Sequence, residues 1–262
     1  MHIVRLPASR GWHWIVQAAR LLRRRPMVWL TLHVMVLLVG AALTAIPVLG
    51  PMMFALVTPV LMAGLMFGCR DLEAGRDLEL KHLLRGFQHE PARLITIGGV
   101  YLVGQIVIAG LLYLVGGEEL QSALKAAMSP DADPAAPAVM NDRLSLSVLI
   151  SLCFFVPLAM AVWFAPVLVA LQNLQPLEAM KLSARACLSN MAPMVVYGVG
   201  LVATMMVLLL LLRLVLGVLL PGVPLLKNLA AMAVLVLWVA LTMISVYTSY
   251  REIFDSDPAA TA

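Results

Sequence analysis

Long apolar stretches alternate with short charged segments along the whole chain. Runs of about 17–25 mostly apolar residues are long enough for a helix to cross a bilayer. Strands of a membrane β-barrel would be about ten residues long and of alternating polarity, so these runs predict transmembrane helices. None of the runs contains Asp or Glu. Six runs qualify: Met27–Ile46, Met52–Cys69, Leu94–Gly116, Ser147–Leu171, Met194–Leu212 and Leu229–Tyr250.

An amphipathic segment precedes the first, third and fifth runs. Each of these segments ends near a proline: Pro26, Pro91 or Pro193. Apolar and polar residues at helical spacing predict helices that lie in the membrane surface. In the first segment Trp12, Ile15, Val16, Ala19 and Leu22 oppose His13, Gln17, Arg20 and Arg24. In the second, Leu80, Leu83, Leu84 and Phe87 oppose Asp77, Lys81, Arg85 and Gln88. In the third, Leu177, Met180, Ala184, Leu188 and Met191 oppose Glu178, Lys181 and Arg185.

The predicted fold is therefore an all-α membrane protein with six transmembrane helices in three hairpins. Each hairpin follows a cytoplasmic amphipathic interfacial helix that ends near a proline. The predicted organisation is an N-terminal segment 1–26, one membrane domain 27–250 and a disordered cytoplasmic tail 251–262. The membrane domain would have cytoplasmic loops 70–93 and 172–193 and an external loop 117–146. The three units resemble internal repeats, although any array of hairpins needs amphipathic connectors and N-terminal prolines.

The composition agrees with a membrane protein, and the distribution of charge predicts its orientation in the membrane. The chain is 62% apolar and only 12% charged, against about 45–50% and about 25% in soluble domains. All but four of the 18 Lys and Arg residues fall on one side of the predicted spans. The positive-inside rule makes that side cytoplasmic, with both termini inside. The excess of basic residues is explained by contact with anionic phospholipids as partners, so no nucleic-acid partner is expected. The predicted headgroup anchors are Arg20, Arg23, Arg24, Arg25, Arg85 and Arg185.

Four segments of the chain carry a family resemblance: "GWHW…RRRPMVWL", "IPVLGP", "TPVLMAGL…LEAGRDLELKHLLRGF" and "FAPVLVALQNLQPLEAMKLSARACLSNMAPMVVYG". They resemble an uncharacterised family of bacterial multi-pass inner-membrane proteins without an assigned function. More distantly, the chain is similar to the membrane domain that accompanies bacterial glycerophosphodiester phosphodiesterases. No soluble stretch here is long enough for their catalytic barrel. The resemblance therefore implies a fold and a location in the bacterial inner membrane, while it leaves the activity open.

Candidate chemistry inside the spans is sparse. Ionisable or strongly polar groups within a membrane are functional candidates, and His33 and Gln105 form the predicted intramembrane polar site. His33 could relay a proton or be a neutral histidine held inside the bundle. His82 and His89 share a helical face with Glu79 and Glu90 nearby, so metal ligation is conceivable. No HExxH motif occurs and no Cys supports the pair, so we predict no metal site. Nucleophile–base pairs and phosphate-binding loops are also missing from the sequence, so we predict no catalytic residues and no cofactor.

Small residues and prolines mark where helices pack or bend. Gly64 and Gly68 form a GxxxG pair, which permits close approach of two helices. It could serve a homo-oligomer or packing within one chain. Pro59, Pro157 and Pro166 fall inside predicted spans, where each would kink its helix.

The sequence thus favours a non-catalytic inner-membrane protein that handles lipids, senses lipids or acts as a membrane scaffold. The alternative is a secondary transporter or channel for a small neutral or apolar solute.

Overall fold

A computed structural model describes residues 2–127, 142–219 and 223–254. Within these ranges all regular secondary structure is helical. The helices are α1 Arg10–Arg24, α2 Pro26–Thr44, α3 Leu49–Glu73, α4 His82–Gln88, α5 Pro91–Ala127, α6 Asp142–Trp163, α7 Ala165–Gln172, α8 Pro176–Ser189, α9 Met191–Leu219 and α10 Pro224–Phe254.

Six helical segments are long and apolar enough to cross a membrane, as the sequence predicts. They are Pro26–Thr44, Leu49–Glu73, Pro91–Ser122, Asp142–Gln172, Met191–Leu216 and Leu225–Phe254. The all-α prediction with six apolar spans is confirmed. α3 is the most buried of the six and packs against α2, α4, α5, α7 and α10. It forms the centre of the bundle.

Several helices extend beyond their predicted ends. The predicted loop 117–146 is helical at both described ends, because α5 continues to Ala127 after a break at Gly117 and α6 begins at Asp142. Gly117 adopts a φ of 51°, which glycine tolerates well. Residues 128–141 and most of the predicted tail lie outside the described residues. Hydropathy falls before helical hydrogen bonding does, so an apolar run marks the span but not the full length of the helix.

The three prolines behave differently. Pro59 lies inside α3 and Pro157 inside α6. The span Asp142–Gln172 is interrupted just before Pro166, because α6 ends at Trp163 and Pro166 lies in the first turn of α7. Ser183 of α8 stabilises this break: its hydroxyl accepts from the Phe164 N–H at 2.9 Å and donates to the Met160 carbonyl at 2.6 Å.

One end of the bundle gathers segments that are far apart in sequence. Val4 donates its N–H to the Ile253 carbonyl, Asn190 binds the backbone of Val4 and Leu6, and Arg24 binds the Leu72 carbonyl. We call this end the basic face; it comprises residues 2–25, 70–93, 173–190 and 245–254. It contains every Lys and Arg that the sequence assigned to one side. The Lys and Arg residues that the charge count assigned to one side of the membrane therefore lie together at one end of the bundle.

The apolar face of α1 differs from the predicted one. The side chains that become buried are Trp14, Ile15, Ala18 and Leu21, whereas Trp12 stays about half exposed at 49%. α1 packs against α9 and α10, and a Cβ added to Gly11 would lie 2.2 Å from the Pro193 carbonyl oxygen. The side of α1 that packs on the bundle therefore only overlaps the predicted apolar stripe, whose contact with the membrane surface stays a prediction.

Candidate functional site

The short helix α4 is seated directly on the backbone of α3. A Cβ added to Gly64 would lie 2.7 Å from the carbonyl oxygens of both His82 and Leu83. A Cβ on Gly86 would lie 2.0 Å from the Val60 carbonyl oxygen, and Gly68 faces Leu78. The Gly64 and Gly68 face predicted for helix packing is therefore covered by α4 of the same chain.

This contact buries a carboxylate, Asp71, among three donors. Asp71 is only 7% exposed. Its Oδ1 accepts from Arg76 at 2.6 Å, and its Oδ2 accepts from Arg85 at 2.6 Å and His82 at 3.0 Å. A carboxylate with two arginines and an imidazole is well compensated for its burial. Asp71 consequently fixes the orientation of the α4 cations relative to the end of α3.

His82 connects Asp71 to the backbone of Glu79. Because a carboxylate only accepts, Nε2 carries the hydrogen and donates to Asp71. Nδ1 then accepts from the Glu79 N–H, at 3.0 Å. Nδ1 is also 2.8 Å from the Glu79 carbonyl oxygen, which would accept if the ring were doubly protonated. Both ring nitrogens are thus satisfied in either state.

Phe67 supports two guanidinium groups over its ring. The Arg70 and Arg85 guanidinium carbons lie 5.2 and 5.6 Å from the ring centroid, within the distance of a cation–π interaction. The His89 ring is 4.8 Å away. His82 and His89 therefore serve different contacts, and among the described residues no group of three ligand-type side chains could hold a metal ion.

The cations surround an open cleft of about 520 Å³ between the end of α3 and α4. Arg70 is exposed and meets no carboxylate in the described part of the chain. Arg76 and Arg85 share the single charge of Asp71, while Lys81 pairs with Glu79. The cleft is lined by Arg70, Asp71, Arg76, Asp77, Glu79, Lys81, His82, Leu84, Arg85 and Gln88. Asp77 in turn is neutralised by Arg25, so the cleft retains an excess of positive charge.

An apolar row borders the cleft. Leu80, Leu84 and Phe87 are exposed, at 45%, 59% and 43%, and Leu84 also lines the cleft. Leu84 and Phe87 lie three residues apart on one side of α4, and Leu80 lies in the turn just before this helix. Leu83, the fourth member of the predicted stripe, is buried against the bundle instead. The result is a cationic cleft beside an exposed apolar surface.

A second network holds the basic face together. Glu252 of α10, with a side chain only 10% exposed, accepts from Arg10, Trp14 and Gln17 of α1. The hydrogen bond from Arg10 to Glu252 raises the pKa of Arg10. Glu73 at the end of α3 binds Tyr247 and Arg251 of α10. These contacts fasten α1 and α3 to the last helix.

The predicted headgroup anchors occupy different environments. Arg20 and Arg23 are exposed. Arg24 donates to the Leu72 carbonyl, Arg25 pairs with Asp77, and Arg85 pairs with Asp71. Arg185 lines a second cleft of about 490 Å³ along α8, together with Lys181 and Leu177. The structure therefore divides the predicted set into free and engaged arginines.

The two predicted intramembrane polar residues are not brought together. His33 is 2% exposed on α2, which packs on α3 and α10. Its Nδ1 donates to the Trp29 carbonyl at 2.9 Å, and its Nε2 has no hydrogen-bond partner among the residues that the structure describes. Gln105 is half-buried on α5, which packs chiefly on α3 and α6.

Sequence reasoning missed the importance of the acidic residues. It searched the apolar runs for carboxylates and found none, yet Asp71 and Glu73 lie immediately after one run and Glu252 immediately after another. An acidic residue that closes an apolar run beside many arginines was the available signal. The structure shows that these three carboxylates organise the basic face.

The fold defines a multi-pass helical membrane protein. The chain is 32% identical over 203 residues to a probable inner membrane protein of Burkholderia thailandensis, covering 76% of this chain and 74% of the relative. The chain belongs to the same family of inner-membrane proteins. No family model matches the sequence, and no solved structure matches the fold. Nothing links the chain to glycerophosphodiester phosphodiesterases, and that more distant resemblance stays a prediction.

Proposed function

We propose that this protein is non-catalytic and handles or senses anionic phospholipids at the cytoplasmic surface of the inner membrane. The observation that carries the proposal is the cationic cleft of α4 with Leu80, Leu84 and Phe87 exposed beside it. An anionic phospholipid has the same two properties side by side, a charged headgroup and an apolar body. Basic residues near an anionic leaflet each contribute about 1 kcal/mol to membrane association.

The proposed arrangement places the basic face in the cytoplasm. It consists of three units, each with a surface helix followed by two spans: α1 before α2 and α3, α4 before α5 and the pair α6–α7, and α8 before α9 and α10. Contacts of α2 with α3, α5 with α6 and α9 with α10 support the pairing. A scaffold role fits the same surface, because a protein that orders lipid locally also positions neighbouring proteins. Homo-oligomers remain part of the proposal, although α4 covers the Gly64 and Gly68 face.

Native mass spectrometry of protein released gently from membranes tests the lipid proposal. The wild type should retain anionic phospholipid in preference to zwitterionic phospholipid. Arg20→Gln, Arg23→Gln and Arg185→Gln together remove exposed charges without breaking an ion pair of the described structure, and they should reduce this preference. The matched control removes Lys125, Arg143 and Arg213 by the same change at the opposite end of the bundle. Equal lipid preference in all three proteins would contradict the proposal.

His33 favours a second candidate function, a secondary transporter or channel for a small neutral or apolar solute. The Nε2 of His33 and the Nε1 of Trp29 are both buried without a hydrogen-bond partner in the described part of the chain, and buried polar groups usually have one. A small polar solute or water could satisfy them. Flux of neutral solutes in proteoliposomes that His33→Ala abolishes and Gln105→Ala reduces would support this function. Absence of flux across a broad panel of solutes would exclude it.

A further inference from the structure

We propose that the cleft between the end of α3 and α4 binds the headgroup of one lipid phosphomonoester, with Arg70 as its principal donor. This inference rests on the proposed function and assigns it a site and a ligand class. A phosphomonoester carries about −1.5 to −2 charge near neutral pH and offers three acceptor oxygens.

Arg70 has the properties of a preorganised phosphate donor. Its guanidinium is held over the Phe67 ring, so little side-chain freedom would be lost on binding. It lines the cleft and meets no acceptor among the described residues. A guanidinium presents paired N–H groups that match phosphate oxygens. Arg70 thus differs from Arg76 and Arg85, which already donate to Asp71.

The charge balance of the cleft favours a doubly charged headgroup. Asp71 is one carboxylate shared by Arg76 and Arg85, so one of these two positive charges is not compensated. Arg70 supplies a second. Glu79 is matched by Lys81, and Asp77 by Arg25 from outside the cleft. A phosphodiester with a single charge would leave one cation in excess, whereas a phosphomonoester balances both.

The apolar row points to a lipid as the source of the phosphate. Leu84 lines the cleft and continues into exposed Leu80 and Phe87. A third cleft, of about 350 Å³, extends from Leu80 to Met27 and Val28 at the start of α2, and Met27 is 74% exposed. An acyl chain leaving the headgroup would therefore meet apolar surface directly, while a soluble phosphate would leave this surface uncovered.

The test is native mass spectrometry of the purified full chain in detergent with added phosphatidate, phosphatidylglycerol or phosphatidylcholine. We expect one phosphatidate per chain, retained in preference to the other two lipids. Arg70→Gln should lower this retention about tenfold, since it removes a charge-assisted hydrogen-bond donor. Arg70→Lys, which keeps the charge and loses the fork of donors, should give an intermediate result. Arg213→Gln, at an exposed arginine at the opposite end of the bundle, is the matched control and should retain the lipid.

Further measurements distinguish a lipid from a soluble phosphate ester as the ligand. They also distinguish a failure of this site from a failure of the proposed function. Glycerol 3-phosphate at the same concentration should not displace phosphatidate, and Leu84→Gln should weaken phosphatidate retention. Displacement by glycerol 3-phosphate, or equal retention of phosphatidate and phosphatidylglycerol, would overturn the ligand class. Anionic-lipid preference that persists unchanged in Arg70→Gln would overturn this site and leave the proposed function intact. A wild type without any anionic-lipid preference would overturn both.

Discussion

The guanidinium of Arg10, at the start of α1, binds both carboxylate oxygens of Glu252, near the end of α10, at 2.9 and 2.5 Å. The two residues are separated by 242 positions in the sequence. Their contact closes the basic face between the first and last helices. It also places α1 over the bundle, so that α1 is an integral part of the fold as well as a surface helix.

Glu252→Gln should destabilise the protein. Glu252 accepts four hydrogen bonds, two from Arg10 and one each from Trp14 and Gln17. The amide loses the charge and replaces an acceptor with a donor. Hydrogen bonds to charged groups contribute about 1.5–3 kcal/mol each, so we expect the free energy of unfolding to fall by about 2 kcal/mol. Denaturant unfolding in micelles, followed by tryptophan fluorescence, measures it. The control is Glu178→Gln, at an exposed position of α8. An equal effect of both changes would contradict the stabilising role of Glu252.

Gly86→Ala should push α4 away from α3. The new Cβ would lie 2.0 Å from the Val60 carbonyl oxygen and 3.1 Å from the Gly64 nitrogen, and backbone atoms cannot yield as a side chain does. Overpacking of this kind costs about 1–3 kcal/mol. Gly110→Ala on α5 meets no atom within 4 Å and should be neutral or slightly stabilising. The melting temperatures of the two variants should differ clearly, and equal values would show that α4 is not seated as described.

Asp71→Asn should loosen α4 without removing a spanning helix. Arg76, Arg85 and His82 would lose their shared charge partner, and the two guanidinium groups would repel each other. Removing one partner of a buried ion pair costs about 3–5 kcal/mol, of which part is recovered because Arg76 and Arg85 can turn toward water. Amide hydrogen exchange over residues 78–90 should therefore accelerate. Asp77→Asn, whose side chain is 71% exposed, should leave the exchange unchanged; acceleration in both variants would contradict the special role of Asp71.

The orientation of the basic face can be tested by cysteine labelling. If it is cytoplasmic, Arg20→Cys should react with an impermeant maleimide only after the cells are permeabilised, whereas Lys125→Cys should react in intact spheroplasts. Burial raises the pKa of the native Cys187 thiol to about 12, so this thiol stays protonated and unreactive at the labelling pH of about 8. The unmodified chain serves as the background control. Labelling of Arg20→Cys in intact spheroplasts would reverse the proposed topology.

The positions of the spans were predictable because each residue's transfer from water to lipid depends mainly on its own chemistry. A run such as Met194–Leu212 has no soluble alternative, and a helix satisfies its backbone hydrogen bonds locally. The grouping of Arg23, Arg85 and Arg185 on one side followed from the same count. The candidate cleft was visible only in part: Lys81 and Arg85 were recognised as basic and Leu84 as apolar, but Asp71 was overlooked.

Local composition was enough to predict the class of protein, its six apolar spans and the side that carries the basic residues. Which arginines are engaged in ion pairs depends on how the helices pack in three dimensions. Arg70 and Arg85 are equivalent in the sequence, yet Arg85 pairs with Asp71, while Arg70 lies over Phe67 and meets no carboxylate among the described residues. That difference comes from the approach of α4 to α3 at Gly64 and Gly86. Contacts between helices depend on distances and directions that hydropathy does not encode.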